Sequence, residues 1–350
     1  MNEAGLTPTV GAPAPAPAVP RARIAVIGLA LLAAALSGLF YYKWGGALRA
    51  VNGAQASGKL TVSPDLILQG GVLTSTWHYF QRVWIALVYG VVIGGVVRAL
   101  VSPAWIASLL AGKGARPTLV GAVAGSPLML CSCCVTPVFT GACERGAALG
   151  PALSLMLASP GFNIAALALT FILMPLQLGV IRLAGAALIV LVLAPAIGKA
   201  FGGDLRRTAV PTPEDFPMTW QAIGVRLVKS LGYMVAVTVP LVFAGVLISA
   251  WLLPSVLSLP SYGAALAVVG VALVSTAVAL PTFFEIPIAL LLIQLGAPPG
   301  AAAALLIAGP IVNLPSLFVL ARESKVRVAA SLAAGVFAVA ALGGLAATLL

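Results

Sequence analysis

Ser159-Pro160-Gly161-Phe162-Asn163 returns as Gly309-Pro310-Ile311-Val312-Asn313 at a shift of 150 residues (310 − 160), and an apolar run follows each copy. The same ungapped shift lays Pro137 on Pro287, Gly146 on Gly296 and Gly150 on Gly300. Proline cannot continue an apolar helix, and an asparagine one turn later caps the next one. Repetition of this punctuation predicts a duplicated fold whose two halves each contain a broken helix.

The medium around these breaks follows from composition. Of 350 residues, 61% are hydrophobic and 8% are charged, with a mean hydropathy of +1.12. A soluble domain carries about a quarter charged residues, so this chain cannot cover itself with a hydrated surface. Runs near the ~20-residue length of a bilayer crossing recur from Ile24 almost to Leu350. Stretches such as 184–193 do not alternate, which excludes a β-barrel. The expected architecture is an all-α polytopic membrane protein of about nine to eleven membrane segments. It comprises two inverted-topology repeats with Pro-broken or re-entrant helices, plus one extra N-terminal helix.

Working outward, residues 1–20 read as a Pro/Ala-rich disordered tail. Residues 21–77 are expected to hold a helix at 24–42, ending on the interfacial anchor Tyr41-Tyr42-Lys43-Trp44, and then a polar extracytoplasmic connection. The first repeat spans 78–200, with a helix at 79–102, breaks near Pro137, Pro151 and Pro160, and a span at 177–198. A linker at 201–225 leads to the second repeat, 226–350, with spans at 230–252, 263–280 and 327–349.

The net charge of +11 does not signal nucleic acid here, because the Lys and Arg lie in short loops between apolar runs and set topology. The central connection carries Lys199, Arg206, Arg207, Arg226 and Lys229, and the loop at Arg322, Lys325 and Arg327 is also basic. The counterpart of that loop near 172–177 is uncharged. Conversely, 253–262 is uncharged where its counterpart holds Lys113 and Arg116. Equivalent loops alternate in charge, as inverted repeats require. The N-terminus is therefore expected in the cytoplasm.

Three of the four cysteines fall in Leu130-Cys131-Ser132-Cys133-Cys134-Val135-Thr136-Pro137, at the first break. Thiolates favour soft ions, and a kinked backbone lets Cys131, Cys133 and Cys134 turn sulfur to one side. The alternative, small apolar residues in helix packing, stays open because the spacing fits no structural zinc pattern. Cys143 is a second thiol station or a packing residue. Asn163 and Asn313 offer amides to a substrate, or only cap.

Glu285 lies in an apolar segment and aligns with Val135, beside the cysteines. A carboxylate at membrane depth is a candidate for proton coupling, or else an interfacial, paired group. Glu144-Arg145 reads as a loop tip, and His78, between Trp77 and Tyr79, as part of an aromatic belt. No G-x-x-x-x-G-K-[ST] run is present, so transport would draw on a gradient.

The segment Cys131 to Pro137, with Gly146 and the Ser159-to-Asn163 element, resembles the predicted-permease family that includes ArsP-type organoarsenical efflux permeases and YraQ-like proteins. The family pattern is C-S-C-G-V-x-P, a Gly-rich turn, then A/S-P-x-x-N, with a second P-x-x-N later. The likeness covers roughly residues 78–350. It departs at Cys134, where the family has Gly, and at Pro281-Thr282-Phe283-Phe284-Glu285-Ile286-Pro287, which has no cysteine. The resemblance implies a multi-pass inner-membrane permease, not an enzyme, without a cofactor. It would export trivalent organoarsenicals or soft metal ions through cysteines, as a possible homo-oligomer in the bilayer. Uptake of a small sulfur anion such as thiosulfate, and a membrane thiol oxidoreductase or metal-handling scaffold, remain the alternatives.

Overall fold

The computed structural model describes residues 20–57, 71–101, 103–112, 114–205, 219–258, 263–280, 284–294 and 296–349. The tail before residue 20, Asp65, most of the basic linker and Pro281-Thr282-Phe283 lie outside the described residues.

The described residues are helical, without a strand. The first part of the chain forms α1 (Arg21–Ser57), α2 (Gly71–Leu100), α3 (Pro103–Leu110) and α4 (Ala115–Gly125). Then come α5 (Thr136–Glu144), α6 (Leu149–Gly161), α7 (Ile164–Leu173), α8 (Leu176–Leu188) and α9 (Ala194–Phe201). The second part holds α10 (Trp220–Ser258), α11 (Ala264–Ser275), α12 (Glu285–Gln294), α13 (Pro299–Ile311), α14 (Leu314–Glu323) and α15 (Val326–Leu349).

The duplication is visible in these bounds. The starts of α7, α8 and the first helix of each broken pair recur in α14, α15 and α13 at the 150-residue shift. The pairs α6–α7 and α13–α14 bend by 40° and 42°. Pro160 and Pro310 sit inside the last turns of α6 and α13, where each deletes one ladder bond. Asn163 then caps α7 by accepting from Ala166 N at 3.2 Å. Asn313 caps α14 by accepting from Ser316 N at 3.1 Å. Gly146 and Gly296 adopt φ of +94° and +84°, so the turns preceding the broken pairs need the same left-handed residue in both halves.

The halves are inverted. Equivalent helices α8–α9 and α15 pack antiparallel: a Cβ on Gly335 would meet Leu193, while one on Gly343 would lie 3.7 Å from Ile181. A direct repeat would have run them parallel. At the centre, every residue of α6 is buried and nearly all of α13 is too, as expected of helices that other helices surround completely. A Cβ on Gly161 would stand 3.5 Å from Ile311, its own equivalent, so the two breaks face one another across the pseudo-axis.

Four helices are long and apolar enough to cross a bilayer, or six if each bent pair is one span. The apolar helices Trp84–Leu100, Ala264–Ser275 and Glu285–Gln294 are shorter, and the expected nine to eleven segments count such pieces as well.

Three boundaries differ from expectation. Helix α1 does not stop at Tyr42 but runs to Ser57; residues 45–57 lack proline, and Arg49 Nε donates to the Gly45 carbonyl at 3.0 Å. Helix α2 starts at Gly71 rather than 79. Helix α10 begins at Trp220, ten residues early, because Thr219 Oγ1 accepts from Ala222 N at 3.2 Å and caps it. Between α8 and α9 a π turn, Ile189–Leu193, accommodates Pro195 without ending the span.

The basic connections meet at one end. Asp204, after α9, pairs with Lys325 at 2.8 Å and with Arg327, both in the loop before α15 or its first turn. The α3–α4 corner joins the turn before α6 through Ala148 N donating to Leu110 O at 2.8 Å.

Candidate functional site

The loop carrying Cys131, Cys133 and Cys134 lies between α4 and α5 and is held from both halves. Met129 sits left-handed at φ 48°, an unusual conformation for a residue with a side chain, and reverses the chain into the loop. On the first-half side, Leu130 N donates to Ser159 Oγ at 3.0 Å, and Asn163 Nδ2 donates to Met129 O at 3.4 Å. From the second half, Asn313 Nδ2 donates to Ser132 Oγ at 2.6 Å. Both asparagines thus cap with their oxygen and hold the loop with their nitrogen. Within the loop, Cys134 N and Val135 N donate to Cys131 O, and Thr136 Oγ1 donates to Cys133 O at 2.7 Å.

Helix α2 closes the back of this loop. A Cβ on Gly90 would overlap the Cys134 carbonyl, and one on Gly94 would overlap that of Pro137. This small-xxx-small face allows backbone-to-backbone approach. Neither glycine was singled out from sequence, although Gly90-x-x-x-Gly94 was readable there.

The result is a cluster of three thiols, all buried and none in a disulfide. Sγ of Cys131 lies 3.1 Å from that of Cys133 and 2.9 Å from that of Cys134, and the Cys133–Cys134 separation is 3.8 Å. Around a tetrahedral zinc at about 2.3 Å, sulfurs would stand roughly 3.8 Å apart. One pair meets that spacing, and the other two need Cys131 to move outward by less than an ångström. Among the described residues the cluster supplies three ligand atoms, all within 4.8 Å of one another, and no fourth. Three soft donors without a fourth suit a three-coordinate centre or transient binding better than a four-ligand structural site.

Helix α1 covers the cluster. Trp44 packs on Met129 and Ala165, and the Tyr42 hydroxyl lies within electrostatic reach of Cys131 and Cys134. The expected interfacial anchor is therefore divided: Tyr41 faces outward, while Tyr42 and Trp44 are half-buried against the site.

Glu285 is buried, as its place in an apolar segment suggested, but it is paired. Arg182 Nη2 donates to Glu285 Oε1 at 2.8 Å, and Arg182 Nη1 donates to Thr170 Oγ1 at 2.7 Å. Arg182 escaped the sequence reading, yet it is the lone charge in the apolar run 177–198. The pair ties α8 of the first half to α12 of the second.

Glu144 and Arg145 do not form a loop tip. Both are buried at the end of α5, with Cys143 beside them. Arg98 at the end of α2 pairs with Glu144, and Arg145 Nη2 donates to the Arg98 carbonyl. The Arg98 guanidinium lies 4.0 Å from the centre of the Tyr233 ring of α10, a cation–π contact. His78 is exposed beside exposed Trp77 and contacts Gln81, outside the thiol cluster.

Broken helices that meet at buried polar side chains, in two halves of opposite direction, are an arrangement found among membrane transporters. More closely, the chain belongs to a predicted-permease family, whose model matches residues 70–349. It is 28% identical over 293 residues to the UPF0718 protein YraQ of Escherichia coli, covering 81% of this chain and 84% of that one. It is also 28% identical to UPF0718 protein MJ0584 of Methanocaldococcus jannaschii over 95 residues, 27% and 26% of the two chains. No solved structure matches the chain. The protein is a multi-pass membrane permease, and α1 precedes the family match.

Proposed function

We propose that this permease exports a thiol-reactive species, a trivalent organoarsenical or a soft metal ion, through a site built from Cys131, Cys133 and Cys134. The observation that carries the reading is the position of these sulfurs: buried, mutually within 4.8 Å, and suspended between the broken helices of both halves. Rocking one half against the other moves Asn313 relative to Asn163 and Ser159. Such movement strains or releases the loop and changes the sulfur spacing, which couples cargo binding to alternating access. Cys143 lies at the far end of α5 and serves as a second station toward the basic end.

Glu285 supplies the coupling to protons in this reading. A proton on its carboxyl removes the charge that holds Arg182, and the contact between halves loosens. The basic connections that gather at one end support a cytoplasmic N-terminus in the inner membrane. Native mass spectrometry of purified protein with a monomethyl trivalent arsenical tests the site. One equivalent should be retained by wild type and lost in Cys133→Ser/Cys134→Ser. Retention of a full equivalent by that variant, with Cys131→Ser added, would remove this loop from cargo binding.

A further inference from the structure

Arg145 is a fully buried guanidinium with only part of its hydrogen-bonding capacity used. Nη2 donates to the Arg98 carbonyl, whereas Nε and Nη1 have no partner. The surroundings do not neutralise it. Arg98 is engaged with Glu144, while Arg226 and Arg98 repel the Arg145 charge and Glu144 attracts it. Arg322 donates to the Tyr233 hydroxyl at 3.4 Å, and Glu323 acts on the same tyrosine. Four arginines, of which Arg145 alone is fully buried and Arg98, Arg226 and Arg322 are partly exposed, stand against the buried Glu144 and Glu323, a formal excess of two positive charges among the described residues.

The Nε–H and Nη1–H groups lie on opposite edges of the guanidinium, and each can give one charge-assisted hydrogen bond to an oxyanion oxygen. We propose that Arg145 is an oxyanion-binding station at the basic end of the permease, so that cargo arrives with an anionic oxygen group rather than as a bare metal cation. This rests on the permease reading above and narrows its substrate class. A free cation approaching through the same end meets the excess positive charge, whereas an anionic thiol complex or a sulfur oxyanion is drawn to it. Glu144 Oε2 keeps Arg98 occupied while its Oε1 is without a hydrogen bond, so the buried Nε–H and Nη1–H of Arg145 are the donors left for an anion. Cys143, two residues before Arg145, lies on the path from this station to the thiol loop.

The test is ligand-induced thermal stabilisation of the full chain in nanodiscs, with thiosulfate and with glutathione as probes and chloride at matched ionic strength as control. Wild type should respond saturably to at least one probe. Arg145→Gln should weaken that response roughly ten- to hundred-fold, the range of a charge-assisted hydrogen-bonded contact. Arg145→Lys should fall in between, since it keeps the charge and loses the fixed planar donors. A response to glutathione alone identifies a carboxylate-bearing thiol complex as the source, and one to thiosulfate alone a sulfur oxyanion. No saturable response in wild type overturns the proposal even if Arg145→Gln fails to fold, as does unchanged affinity in a folded Arg145→Gln. Cys131→Ser/Cys133→Ser/Cys134→Ser should keep the response, so failure here and failure of the thiol site are read separately.

Discussion

Replacing Arg182 by Met tests whether the contact between halves is a true ion pair. Glu285 Oε1 accepts from Arg182 Nη2 at 2.8 Å, with both side chains buried. Removing one partner of a buried pair leaves a stranded charge, a loss of about 3–5 kcal/mol. The bond from Arg182 to Thr170 is lost as well, adding about 1 kcal/mol. Glu285→Gln should be similarly harmful: its amide oxygen can still accept, but the arginine charge is left unbalanced. The double variant Arg182→Met/Glu285→Leu strands nothing, and exchanging a buried pair for apolar groups is often neutral or stabilising by about 1–4 kcal/mol. Equilibrium unfolding of wild type, these variants and Glu285→Leu in mixed micelles completes the cycle. The reasoning is refuted if Glu285→Gln costs below ~1 kcal/mol, since that is the cost of altering a neutral hydrogen bond. It is refuted equally if the double variant is as unstable as the sum of the singles.

Gly90→Ala places a methyl on the Cys134 carbonyl. It should destabilise the protein by about 1–3 kcal/mol as an overpacked contact and slow alkylation or arsenical capture at the loop; unaltered cysteine reactivity and stability would contradict the backbone contact. Asn163→Ala and Asn313→Ala should each cost about 1 kcal/mol as lost caps. Asn313→Ala should in addition abolish transport, because it frees Ser132 from the second half; equal transport by the two variants, measured in vesicles, would deny that link a role.

Much of the frame was legible in the sequence because broken helices require particular residues at particular points. Pro160 and Pro310 cut the ladder, Asn163 and Asn313 restart it, and Gly146 and Gly296 take a backbone angle that other residues resist. Loop charge predicted the inversion that the antiparallel packing of α8–α9 on α15 displays. The thiol cluster was legible as a set of residues; its suspension from both halves was not, since hydrogen bonds from Asn313 to Ser132 cross 181 residues. The same holds for Arg182 and Glu285, which are 103 residues apart. Residues 45–57 hid the full length of α1, since Gly45, Gly46 and Asn52-Gly53 read as breakers and the stretch is not apolar, and hydropathy marks only the membrane-length part. Glu144 and Arg145 looked like a turn because their cover comes from α2 and α10, far along the chain.

Uptake of a monomethyl trivalent arsenical into inverted vesicles, with wild type beside Cys133→Ser/Cys134→Ser at matched abundance, addresses cargo movement through the thiol loop. Accumulation that wild type shows and the variant lacks is the predicted result. Equal accumulation by a folded variant would contradict it.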